Sequence, residues 1–336
     1  MGQPVGAPPA QLACVLVCRT DNIGDVVLTL PLAGFLKERY PGVKVDFLVR
    51  AYAAPVVRHC RFVDQVLPIE EQGDLQAMFS QGGYETVIFA YPLRVVAVAA
   101  RRAGVANRVG TSHRFFHWFT CNRLAHFSRV RSTLHEAQLN FALLRPLKIN
   151  RTPALSEIPA WYGLEVPHLD EVAALRARSP FNLIIHPKSN GNGREWPLTR
   201  YAELAQLLGK DAGICLWLTG SSAEGDLLAR AAPALLAMSN VRNLCGRFDL
   251  SGLTALIGAA DGLVASGTGP LHIAAAMGRP VLGLFPPVKP IDAARWGALG
   301  THARSLTAAC DSMQAISAEE VAQVVLGWRK KQNIGT

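Results

Sequence analysis

Four stretches hold residues whose types and spacing could do chemistry, and one of them organises the chain. Ser266-Gly267-Thr268-Gly269 follows a short apolar run, 262–265, and precedes Pro270-Leu271-His272. Pro270 suits the first turn of a helix, where its missing N–H costs nothing, and Gly278 suits the stop. A helix beginning at Thr268-Gly269 offers free N–H groups and a positive dipole end to an anion, and glycine lets a phosphate approach the backbone closely. His272 falls in the first turn, beside that anion. The dinucleotide fingerprint needs a third glycine, and this loop comes late in the chain, so a dehydrogenase is disfavoured. A bare turn is the alternative use of the glycines.

Two other loops are expected at the same strand-end edge. Residues 186–197, HPKSNGNGREWP, carry Lys188, Ser189 and Arg194 among glycines, two cations and a hydroxyl that suit an anionic group. Residues 219–224, TGSSAE, put Glu224 in a first helical turn, where a solvent-facing acid is common. The fourth stretch, Thr20-Asp21-Asn22-Ile23-Gly24-Asp25, follows the first apolar run. Ligands of open α/β sheets bind at strand carboxyl ends, which is where Asp25 stands. An acid there also complements a helix dipole.

These loops need a scaffold of alternating strands and helices. Apolar runs at 14–19, 43–49, 63–69 and 84–90 predict four strands, with helical periodicity over 25–40 and 93–103. A second series predicts strands at 182–186, 214–219, 241–245, 262–265 and 280–285, and a last amphipathic helix over 317–331. Strands alternating with helices imply parallel sheets covered on both faces. Residues 149–167 carry three prolines and read as a linker. We therefore expect two domains, 1–166 and 167–336, with the last helix a candidate to pack back on the first.

Composition narrows the partners. Half of the 336 residues are hydrophobic and 18% are charged, which excludes a disordered chain. The formal net charge of +9 favours anionic partners. Seven cysteines without a C-x-x-C pair fit reduced thiols better than a zinc site or a disulfide framework. The first thirteen residues lack a basic n-region, and the apolar run behind them is of strand length. Neither a secretory signal nor a spanning helix is expected.

The basic charge is concentrated. Residues 86–135 contain no Asp or Glu, and between Arg94 and Arg131 lie eight arginines, Arg114 and Arg123 among them, interleaved with Phe115, Phe116, Trp118, Phe119 and Phe127. A solvated basic face, a nucleic-acid surface, and an acceptor and membrane surface for a phosphorylated glycolipid all fit. The last is favoured, because no DNA- or RNA-binding motif is present. His135-Glu136 is followed by Ala-Gln-Leu-Asn, not by a second His, so it is no zinc-protease motif.

The stretch SGTGPLHIAAAMGRPVLGLF resembles the donor-binding signature of glycosyltransferase family 9, the lipopolysaccharide heptosyltransferases. Ser266 and Gly267 stand where members commonly carry Asn and Asp. RTDNIGD resembles the family's N-terminal basic-to-Gly-Asp motif. That resemblance makes Asp25 the catalytic base and Arg19 the residue facing the acceptor's anionic groups. Arg194 matches the cationic position of the family's donor loop, and Glu224 the acid that binds the ribose hydroxyls. HEAQLN resembles a segment opening the last helix of the first domain, structural or acceptor-side.

The resemblance implies an α/β chain of two Rossmann-like domains facing across a cleft, the GT-B glycosyltransferase architecture. It also implies inverting, metal-independent transfer of a heptose from ADP-heptose to a Kdo- or heptose-bearing lipid A core. The expected site is Asp25 as base, Arg19, Arg114 and Arg123 on the acceptor, and Lys188, Ser189, Arg194, Glu224, Thr268, Gly269, Pro270 and His272 on the donor. No metal, cofactor or nucleic-acid partner is expected. The expected place of work is the cytoplasmic face of the inner membrane, in peripheral contact with it. A member using another nucleotide sugar and a non-catalytic nucleotide-sugar binder are the alternatives.

Overall fold

The computed structural model describes residues 12–189, 191 and 193–334. The expectation about a leader segment, apart from its last two residues, and positions 190 and 192 of the loop expected to hold the donor lie outside the described residues. The chain divides into two compact units, Met1–Leu164 and Glu165–Thr336.

In the first unit six strands form one parallel sheet: β1 (Cys14–Cys18), β2 (Lys44–Val49), β3 (Gln65–Pro68), β4 (Thr86–Phe89), β5 (Asn107–Thr111) and β6 (Arg123–Ala125). Their order is β3-β2-β1-β4-β5-β6, so it reverses between β1 and β4. In doubly wound sheets ligands collect at the strand carboxyl ends beside that reversal. β4 is buried along its whole length and β1 nearly so, which is why they read as continuous apolar runs.

The helix expected over 25–40 is two, α1 (Ile23–Val27) and α2 (Pro31–Arg39). Proline opens the second helix, since it cannot donate within a continuous one. α3 (Arg94–Arg102), the single turn α4 (His117–Thr120) and α5 (Glu136–Phe141) follow. The proline-rich stretch is not a free linker up to Leu164. A turn at Ile158–Trp161 packs on the core, where the rings of Phe35, Phe141 and Trp161 meet at centroid distances of 5.3 to 5.5 Å. Trp161 Nε1 donates to Glu38 at 2.7 Å.

The second unit repeats the plan. Its strands are β7 (Phe181–His186), β8 (Ile214–Leu218), β9 (Val241–Asn243), β10 (Gly262–Ser266), β11 (Val281–Phe285) and β12 (Ala303–Thr307). All are parallel, in the order β12-β11-β10-β7-β8-β9, which reverses between β10 and β7. Around them lie α6 (Leu198–Leu208), α7 (Ser222–Ala231), α8 (Gly269–Ala276) and α9 (Ala318–Ile334). The last helix, α9, packs on α6 of its own unit, with Val321 and Val325 in one core with Tyr201, Leu204 and Leu208. Among the described residues, no helix is long and apolar enough to cross a membrane.

Candidate functional site

In the first unit, β1 ends in a knot of charge. Arg19 is 3% exposed, and every arm of its guanidinium is engaged. Nε donates to Asp21 Oδ1 at 2.7 Å, Nη2 pairs with Asp25, and Nη1 donates to Ala90 O and Asn140 Oδ1, both at 3.3 Å. Glu136, fully buried, approaches Arg19 Nη2 at 3.7 Å and pairs with Arg129. The side chains of Asp21 and Asp25 remain 16% and 14% exposed against 4% for Arg19, so the carboxylates reach the surface and the cation does not. The donors of Arg19 are thus spent on the two carboxylates and on Ala90 O and Asn140.

The HEAQLN segment explains how the knot is held. His135 caps α5, accepting from the Ala137 N–H at 3.1 Å, while Gln138 accepts from the His135 N–H at 3.0 Å, a reciprocal capping box. One turn on, Asn140 accepts from Arg19 and donates to Leu28 O and Thr29 Oγ1, each at 3.0 Å. It thereby ties Arg19 to the corner between α1 and α2. Tyr52 donates its hydroxyl to Asp21 O at 2.8 Å. Burial pushes the Asp21 carboxyl up to about 6, with Arg19 pulling against the rise and Asp25 adding to it. Asn140 and Arg129 were not singled out as site residues by sequence reasoning; the signal lay in HEAQLN and in the arginine run.

That run is not one uniform surface. Arg101 and Arg108 are spent on the carbonyls of Phe119 (2.6 Å) and Thr120 (2.8 Å), and Arg129 on Glu136. Arg123 is half-buried and donates to Asn107 at 3.3 Å. Arg94, Arg102, Arg114 and Arg131 are exposed.

In the second unit, three loops lie side by side at the carboxyl edge, after β10, β7 and β8. Thr268 caps α8 with extended backbone, and Gly269 and Pro270 open the helix. Thr268 Oγ1 is buried and has no hydrogen-bond partner among the described residues. Ser266 Oγ is taken by the Trp196 N–H at 3.2 Å. His272 is buried in the first turn, and Gly278, at φ +70°, lies two residues past the last helical one in the left-handed region that favours glycine.

The loop after β7 is cross-braced. Lys188 pairs with Glu195, whose Oε1 accepts from Ser189 N at 2.9 Å, and Ser189 Oγ donates to Gly193 O at 2.9 Å. Burial works to raise the Glu195 carboxyl, but Lys188 and the Ser189 N–H outweigh it and hold it below its ordinary value. Arg194 turns to Asp311, donating to its backbone O at 2.7 Å and pairing with its carboxylate. Glu224 closes a capping box with Ser221, accepting from Ser221 N at 2.7 Å and Ser221 Oγ at 3.0 Å, both through Oε2. His186, bonded to Thr219 Oγ1 at 2.9 Å, is pushed down to about 4 by burial, so it is neutral at pH 7. Among the described residues no group of three or more His, Cys, Asp or Glu is placed to hold a metal ion.

Residues 79–323, well over half of the chain, match the profile of glycosyltransferase family 9 (heptosyltransferase). The chain belongs to glycosyltransferase family 9. It is 26% identical over 302 residues to lipopolysaccharide heptosyltransferase 2 of Escherichia coli K12, covering 82% of this chain and 83% of that one. The crystal structure of a family 9 glycosyl transferase from Veillonella parvula superposes with a TM-score of 0.79 at 18% identity, covering 97% and 99% of the two chains. The structure titled E. coli heptosyltransferase WaaC with ADP superposes with a TM-score of 0.69 at 21% identity, covering 94% and 99%. Family 9 membership makes this chain a glycosyltransferase, and the two doubly wound sheets are the GT-B fold of those structures.

Proposed function

We propose that this family 9 enzyme moves a heptose from ADP-heptose to a Kdo- or heptose-bearing lipid A core, with inversion and without metal, in lipopolysaccharide assembly at the cytoplasmic face of the inner membrane. The observation that carries the donor half is Thr268. An unsatisfied buried hydroxyl costs free energy, and this one stands at a helix N-terminus beside the strand-order reversal, where a diphosphate would satisfy it. ADP in the heptosyltransferase WaaC structure supports the choice of nucleotide.

In this reading Gly269, Pro270 and His272 form the diphosphate seat. Lys188, Ser189 and Arg194 close over it, and Glu224 accepts from the ribose hydroxyls. The acceptor hydroxyl attacks the anomeric carbon, Asp25 takes its proton, and the diphosphate leaves from the opposite face. Arg19 acts as a positioning residue that aims Asp25, while Arg114 and Arg123 take the acceptor's phosphates.

A member using another nucleotide sugar is the second reading. It rests on Ser266 and Gly267: one hydroxyl is spent on Trp196 and the other position has no side chain. Mass spectrometry of products from the purified enzyme, ADP-heptose and a heptose-deficient core acceptor tests both. A heptose-sized mass gain supports the first reading; turnover only with a different nucleotide sugar selects the second.

A further inference from the structure

Most of the large hydrophobic side chains that the first unit leaves exposed follow strand ends, the exceptions being Val95 in α3 and Leu155 in the proline-rich stretch. Tyr52 follows β2, Tyr91 follows β4, Phe115, Trp118 and Phe119 follow β5, and Val130 follows β6. These segments leave the sheet at strand carboxyl ends, the edge that also carries Asp21 and Asp25. Single exposed apolar residues need no explanation, but a grouped patch does.

The densest group lies between β5 and β6. Phe115 is 80% exposed, Trp118 57% and Phe119 60%. These side chains are held. Phe115 and Phe119 meet edge-on at 5.1 Å, and Trp118 Nε1 donates to Ser112 O at 2.9 Å. The indole also faces His126 at 6.4 Å, which fixes it just beyond the ends of β5 and β6. Beneath it, His117 is fully buried, bonded through Nδ1 to Thr111 O at 2.9 Å and stacked on Phe89. A Cβ at Gly110 would lie 2.6 Å from His117 Nδ1 and 2.7 Å from Cys121 Sγ, so glycine makes room for that anchor. The inward side of the turn is built to hold its aromatics outward. Arg94, Arg114 and Arg131 are exposed in the same run, and no acid occurs from 86 to 135.

We propose that this aromatic turn inserts into an anionic bilayer, with Phe115, Trp118 and Phe119 at the headgroup–acyl boundary and Arg94 and Arg131 on the lipid phosphates. Interfacial anchors combine aromatic rings with flanking cations, and the uniformly basic run matches an anionic lipid surface. The gain for the reaction is positional. β5 lies two strands from β1, about 10 Å at ~4.8 Å per strand. Insertion therefore brings the carboxylate edge within about a nanometre of the surface from which a lipid-borne acceptor presents its sugar. This deepens the membrane contact of the proposed function from attraction to insertion. The vesicle measurement does not use the transfer reaction, so either proposal can fail alone.

The test is co-sedimentation of the full chain with phosphatidylcholine vesicles, with and without phosphatidylglycerol, together with tryptophan quenching by brominated acyl chains. Raising salt from ~0.1 to ~1 M shortens the Debye length from ~10 to ~3 Å and isolates the apolar part of the binding. The wild type should bind the phosphatidylglycerol vesicles and keep measurable binding at high salt. F115S/W118S/F119S should bind about tenfold or more weakly, because interfacial binding scales with buried apolar area. The variant should keep its transfer rate to a water-soluble acceptor. W118F, a conservative exposed change, should lose most of the bromine quenching. Equal vesicle binding by the triple variant, or equal quenching of W118F and wild type, overturns the proposal. So does a wild-type dimer that the triple variant dissolves, which would assign the face to a second copy.

Discussion

The two sheets share a strand order and present their candidate sites at the same edge, yet the sites are made differently. In the first unit the chemistry sits on side chains locked into one network: Arg19 holds Asp21 and Asp25, and α5 holds Arg19. In the second, the candidate binding element is backbone, a helix N-terminus with a hydroxyl that has no hydrogen-bond partner among the described residues, and Lys188 and Arg194 are paired with acids, Glu195 and Asp311. In the proposed reading the contrast separates two tasks. A base must be aimed before the substrate arrives, so its neighbours are buried and fixed. A donor seat, as proposed for the second unit, has to fill and empty, and cations resting on carboxylates suit that because a diphosphate can replace the carboxylates.

The sharpest way to break the contrast is Asp25→Asn. Loss of a general base costs roughly 10²- to 10⁴-fold in rate, so kcat should fall by that factor while calorimetry shows ADP binding unchanged. Near-wild-type turnover would move the base to Asp21. Next is Arg19→Met, which strands carboxylates around a buried site. Removing one partner of a buried ion pair costs about 3–5 kcal/mol, so urea denaturation should show a loss of that order. If stability holds and only acceptor KM rises, Arg19 faces ligand after all.

On the donor side, Thr268→Val removes one hydrogen bond to a charged group, about 1.5 kcal/mol or roughly tenfold in ADP affinity. The loss should be the same with EDTA present, and dependence on added magnesium would sink the metal-free reading. The smallest effect is a pH slope. Asp21 titrates near 6 in the folded chain against an ordinary 3.8, so between those values only the folded state binds the proton, and stability rises as pH falls. Asp21→Asn should remove that rise when urea curves at pH 4.5 and 7 are compared with wild type. An unchanged slope would mean that Asp21 is not held as the structure has it.

Much of this was legible in the sequence, for a physical reason. Strands buried on both faces, such as LVAS in β10 and LGLF in β11, are unbroken apolar runs, and Gly and Pro mark the turns between them. β5 (NRVGT), β6 (RLA) and β12 (ARSLT) were missed because they lie at or next to a sheet edge and carry polar residues that interrupt the apolar pattern, and β6 has only three residues. The break in the first helix could have been found from Pro31. Trp161 and Tyr162 could have warned that the proline-rich stretch was packed. At the candidate site, spacing drew attention to Asp25 and the glycine loop, but not to the partners of Arg19, because Glu136 and Asn140 are more than a hundred positions away.

That separation sets an order of assembly. Arg19 and Asn140 are 121 residues apart, and between them the chain must lay down five of the six strands of its sheet. While the protein is being synthesised, Asp21 and Asp25 emerge together with Arg19, but the contacts of Asn140 and Glu136 to Arg19 can form only after α5 has cleared the ribosome. A chain stopped near residue 130 would contain every strand of the first sheet and both carboxylates, yet lack the helix that orients them. The full network around the two carboxylates is thus completed late, once α5 and the stretch up to Trp161 have joined the six strands.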